Sequence, residues 1–237
     1  MGGETYIRII ISILGNIYIF LCGVILWNFL SHFADMRLKR RISMSLIILS
    51  YALPRMILGE LWDTVGNLPA QIIKPLFYFV IAFLFSFIAC ALDIRLRLLI
   101  YSVFVCIIDT LGFLFIASVS ILSFSLNLII KDWLEKGYSY DELMLKMYIA
   151  QVLYLFLEYL ILFIIEYFLF KRLSKIIFYP VENSGFAFLM LPVLVDGMIC
   201  MMLRTTLIKY EDEMPVYLYD EYPTLPFFVP VIMRLRT

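Results

Sequence analysis

The sequence predicts an all-α, polytopic transmembrane helix bundle of about six spans, followed by an incomplete C-terminal segment. Three observations lead there. Of 237 residues, 64% are hydrophobic and only 16% charged, and the mean hydropathy is +0.97, well beyond the range of soluble domains. The apolar residues gather into runs of about 20 or more, the length that crosses a hydrocarbon core. Short charged stretches separate the runs, and a chain of such segments satisfies its backbone in lipid by forming helices.

The runs fall at 7–30, 42–61, 72–92, 98–122, 144–170 and 185–203. The first is too long for a cleaved signal peptide and ends without an A-x-A-like site, so it is a retained span. Its leader "MGGETY" has Tyr6 where a myristoylation signal requires Ser or Thr. Pro54, Arg55, Gly59 and Glu60 interrupt the latter half of the second run and predict a kink. At the fifth, "SYDE" sets Ser139 three residues before Glu142, a capping box that starts a helix near Tyr140. Extended to Lys171, that helix would measure roughly 48 Å and project beyond a core about 30 Å thick.

Residues 1–205 thus form one helical domain and 206–237 a tail. The tail is first acidic and Tyr-rich, with "KYEDEMPVYLYDEY" carrying Asp212, Tyr217 and Tyr219. This stretch is either an interfacial aromatic belt or an outward surface for a basic or peptide ligand. Its apolar stub at 225–233 reaches only about 14 Å as a helix, and Pro226 and Pro230 weaken it further.

Lysine and arginine set the orientation. The connections "MRLKRR", "DIRLR" and "KRLSK" are short and densely basic, whereas Arg8, Lys74, Lys131, Lys136 and Lys146 are spread over longer stretches. The N-terminus is therefore expected outside a bacterial cell membrane, with the three basic connections in the cytoplasm. The formal net charge of +0 gives no reason to assign nucleic acid as a partner; the bilayer itself is the first partner.

Ionisable residues inside spans are costly and mark candidate sites. Arg55, Asp109, Glu158 and Asp196 are the candidates for intramembrane polar coupling, with Arg55 free to pair with any of the three acids. Glu60 and Glu166 lie nearer span ends and are expected to reach the interface. Glu158 and Glu166 are eight residues apart, about 12 Å along a helix and roughly 80° around it, so they cannot form one acid/base pair. Each buried acid either orders the bundle through hydrogen bonds, couples a ligand signal, or handles a proton or ion.

Enzymatic constellations are missing. His32 is the single histidine, which excludes HExxH and His-based metal clusters, and neither Gly-x-Ser-x-Gly nor a Gly-rich phosphate loop occurs. Cys22, Cys90, Cys106 and Cys200 lie in apolar runs without CxxC spacing and read as small buried hydrophobes. The methionines of "MICMMLR" are expected to pack in a helical core rather than bind Cu(I). No cofactor or metal is assigned, and the chain is not expected to be an enzyme.

With these parts placed, the layout resembles the N-terminal membrane sensor domain of AgrC-like, GHKL-type histidine kinases. The residues that carry the resemblance are "NFLSHF" before a basic loop, "KPLFYF", the hairpin "CALDIRLRLLIYSVFVCIIDTLGFLF", then "YLFLEYLILFIIEYFLFKRLSK" and "FLMLPVLVDGMICM". It covers roughly residues 5–205. The resemblance implies a two-component, quorum-sensing receptor that binds a small secreted peptide through outward loops and transmits a helix movement to a kinase. On that implication the ligand candidates are Trp133, Tyr138, Tyr140, Asp212, Tyr217 and Tyr219, and a second copy or a separate kinase would be the protein partner. The family's phospho-accepting His and ATP-binding motifs do not occur before Thr237, so the chain is expected to sense or sequester without phosphorylating. The rival readings are a small proton- or ion-coupled transporter and a non-catalytic membrane subunit.

Overall fold

The computed structural model describes residues 2–63, 68–137 and 140–176, together with Leu191, Val195, Met198, Ile199 and Met202. The described chain is almost entirely helical: α1 (Gly2–Leu30), β1 (Asp35–Met36), α2 (Arg40–Asp63), α3 (Leu68–Ala89), β2 (Cys90–Ala91), α4 (Ile94–Glu135) and α5 (Tyr140–Ile176). The five helices coincide with the first five apolar runs. Most of the sixth run, with Asp196, lies outside the described residues, as do Ser139, Tyr138 and the tail with Asp212, Tyr217 and Tyr219.

Helix lengths depart from the run lengths at α4 and α5. α4 extends over 42 residues, because 123–135 contains neither Gly nor Pro to stop it. It ends before Gly137, whose φ of 86° gives the left-handed turn that closes a helix C-terminus. Trp133, expected in a loop, consequently sits on the last turns of α4, where it is exposed. α5 starts at Tyr140, the position the sequence predicts, and continues to Ile176.

α1 packs against both α2 and α5, and α2 against α3. The core forms where Cys22, Leu26 and Phe29 of α1 meet Ile47 and Tyr51 of α2, Ala82 of α3, Phe104 of α4 and Phe170 of α5. Gly23 permits the close approach of α1 to α2: a Cβ there would stand 3.2 Å from the Ile48 carbonyl oxygen. α1 and α5 run parallel, since Tyr18 stacks on Tyr159 and Phe29 packs on Phe170. α2 is antiparallel to α3, because Ser43 reaches Ala89 while Arg55 lies against Tyr78.

These directions bring three connections to one end of the bundle: 31–39, 90–93 and the segment from Lys171. Two of them pair directly. Asp35 faces Ala91 and Met36 faces Cys90 in an antiparallel ladder, which the Arg37 N–H extends to the Ala89 carbonyl at 3.1 Å. The densely basic stretches are therefore neighbours in space.

Two described segments, Ile9–Leu30 and Tyr148–Lys175, are helical, long and apolar enough to cross a membrane. Their side-chain distribution is the reverse of a soluble helix. α5 turns Leu153, Phe156, Leu157, Leu160, Ile161, Ile164 and Phe168 outward, while its buried stripe runs through Leu155, Glu158, Leu162, Glu166 and Phe170. Both acids lie on that inward stripe. The described residues after 190 show a similar outward row, and Met198 and Met202 are exposed on it rather than packed in a core; with Leu191 and Val195 they follow helical spacing along one face.

Candidate functional site

Among the described residues the most buried acid is Glu166, with no exposed surface. The sequence placed it near a span end; α5 instead continues ten residues further, to Ile176, and turns Glu166 toward α1. Tyr18 donates its hydroxyl to Glu166 Oε1, and the Cys22 thiol lies 3.7 Å from Oε2 as a weak donor. Tyr18 and Cys22 are four residues apart, one turn of α1, so a single helix face presents both donors. The Tyr18 ring also stacks on Tyr159 at 4.9 Å. Cys22 thus does more than fill space, while Cys90 is buried and Cys106 half-buried, neither in a disulfide.

Beside this knot, α2 passes through Pro54, which removes the helical bond to the Ser50 carbonyl. The next residue, Arg55, folds back so that Nη1 donates to the Tyr51 carbonyl at 3.0 Å. Its guanidinium lies 3.8 Å from the Tyr51 ring centroid and 5.0 Å from that of Tyr78, contacts that stabilise a desolvated cation. Cys22 and Tyr51 belong to one buried cluster, so the Tyr18–Cys22–Glu166 contact of α1 and α5 and the Arg55–Tyr51 contact of α2 lie against the same core. Asp109 is half-buried and Glu158 buried on the same stripe as Glu166. The structure thus brings Arg55 and Glu166 to the two sides of the core that Cys22 and Tyr51 share.

A second buried charge sits at the basic end. Arg97, counted from sequence among loop cations, is only 1% exposed. Its Nη2 donates to the carbonyls of Cys90 and Leu92 at 3.1 and 3.0 Å, and its guanidinium lies 3.7 Å from the Phe87 ring centroid. Nε and Nη1 find no acceptor among the described residues. Burial lowers its pKa from the ordinary value, with the like charge of Arg37 adding to the effect, although a guanidinium stays protonated at any ordinary pH. No sequence pattern announces this residue; it is one arginine among several.

His32 is exposed and its Nδ1 lies 2.7 Å from the Asn28 carbonyl oxygen, at the C-terminus of α1. Among the described residues no three His, Cys, Asp or Glu side chains gather as a metal site. Of the outer ligand candidates, Trp133 is exposed on α4 and Tyr140 opens α5. Among the described residues the arrangement offers a buried, hydrogen-bonded carboxyl, a buried guanidinium and a half-buried one, a set suited to conformational coupling or proton handling. No family model, curated protein or solved structure matches the chain.

Proposed function

We propose that the chain is a multi-pass membrane receptor domain of six crossings, with its N-terminus outside, that senses a small secreted peptide. One observation supports this best: polar groups of α1, α2 and α5 lie against one shared core inside a bundle whose outer surface is apolar. A ligand that shifts one outer helix end changes that shared core, and the shift reaches the basic end through the same helices. Trp133 is the reporter, exposed near the end opposite the basic connections. Titration of the purified chain with peptides fractionated from culture supernatant should change its Trp fluorescence saturably; no response to any fraction removes the receptor reading.

Orientation has its own test. In a background lacking the native cysteines, Arg37→Cys and Lys136→Cys are expected to label from opposite sides of intact cells, Lys136→Cys from outside. Labelling of both from one side overturns the topology.

The Glu166 environment favours a second reading, a proton-coupled transporter, because a buried carboxyl with only neutral donors is a natural proton acceptor. Proton flux in proteoliposomes that disappears in Glu166→Gln would replace the receptor reading. Unchanged flux in that variant would discard transport.

A further inference from the structure

The end of the bundle built around β1 and β2 concentrates charge of one sign. Segments 31–43 and 90–97 hold Arg37, Lys39, Arg40, Arg41, Arg95 and Arg97 against two acids, Asp35 and Asp93. Asp93 is engaged locally, its Oδ2 accepting the Arg95 N–H at 3.1 Å. The first turn of α2 contains no acidic residue, so its N-terminus adds its positive end to the region, whereas Asp93 caps that of α4. Arg37, Lys39, Arg40, Arg41 and Arg95 are all exposed, as are Lys171, Arg172 and Lys175 where α5 arrives at this end.

Apolar side chains are interleaved with these cations. Leu38, Ile42, Met44 and Ile94 are exposed by 38%, 53%, 42% and 57%. An alternation of cations with outward hydrocarbon fits the headgroup boundary of a bilayer, where phosphate and acyl chain meet. Beneath it, Arg97 holds the carbonyls of Cys90 and Leu92 and so fixes the strand that brings the two basic segments together.

We propose that this end, centred on Arg37, Arg40, Arg41 and Arg95 beside the β1–β2 ladder, binds the phosphate diester headgroup of an anionic phospholipid, with the acyl chains covering Leu38, Ile42 and Ile94. This rests on the membrane reading and goes beyond it: a general positive-inside bias asks only for cations on one side, whereas the ladder holds two basic segments as one site. A free phosphate would match the cations and leave the apolar side chains uncovered.

The test uses the full chain purified in a neutral detergent, with lipid adducts followed by native mass spectrometry and thermal unfolding. Phosphatidylglycerol should give saturable adducts and stabilisation; phosphatidylcholine and inorganic phosphate should not. Arg37→Gln with Arg41→Gln should weaken half-saturation by about twenty-five-fold, about fivefold per cation and multiplicative. Arg37→Lys with Arg41→Lys should restore binding to within a few-fold, which excludes misfolding as the cause. Lys136→Gln, at the opposite end, should change nothing. An equal response to phosphatidylcholine, an equal response to inorganic phosphate, or an unaffected double Gln variant overturns the lipid site. A chain found in membranes yet indifferent to phosphatidylglycerol fails this proposal alone, whereas a chain absent from membranes fails the membrane reading.

Discussion

At mid-bundle, α1 and α5 bury the carboxyl of Glu166; at the basic end, α4 buries the guanidinium of Arg97. The two solutions differ in chemistry. Glu166 receives side-chain donors, the Tyr18 hydroxyl and the Cys22 thiol, and a carboxyl can answer desolvation by taking up a proton. Arg97 has no such escape. It is held by backbone carbonyls and an aromatic face, groups that are part of the hairpin itself. The first site is therefore adjustable by side-chain exchange, and the second is welded to the local fold.

That contrast sets an order of effects. Arg97→Ala should be the most damaging change, costing about 3 kcal/mol because two carbonyls lose a charged donor and a volume is vacated. A chain that melts like the wild type would show that the guanidinium holds nothing. Glu166→Leu should cost about 2 kcal/mol, chiefly by stranding the Tyr18 hydroxyl; detergent-phase unfolding measures it, and a cost above that of Arg97→Ala reverses the proposed ranking. Tyr18→Phe removes one hydrogen bond and should cost about 1 kcal/mol, with no further loss when it is combined with Glu166→Leu. Strict additivity in that double mutant would mean the two groups do not act together. Glu166→Gln, which keeps an acceptor for Tyr18, should stay below about 1 kcal/mol. A large loss there would indicate that the charge itself stabilises the site.

Much of the helical layout was legible, and the reasons are physical. Apolar run length located α1 to α5, because burial in a bilayer and helix length are tied by one rise per residue. The extension of α4 through Trp133 was harder to see, since a helix stops only at a breaker and polar residues are not breakers. The β1–β2 ladder was invisible: two residues per strand carry no alternation to detect. Glu166 was misjudged by measuring its distance to the end of an apolar run, whereas its exposure depends on which face meets α1. Its companionship with Leu155, Glu158, Leu162 and Phe170 was readable as a spacing of three and four. The burial of Arg97 had no comparable signal, because it arises from a contact with residues five and seven positions earlier in a hairpin.

The ladder between Asp35–Met36 and Cys90–Ala91 also has a mechanical consequence. It fastens the α1–α2 corner to the α3–α4 corner at one extremity and so acts as a fulcrum for the helices that leave it. α2 is 24 residues long, a lever of about 36 Å. A tilt of about 5° at the fulcrum moves its far tip by about 3 Å, while the fastened corner scarcely shifts.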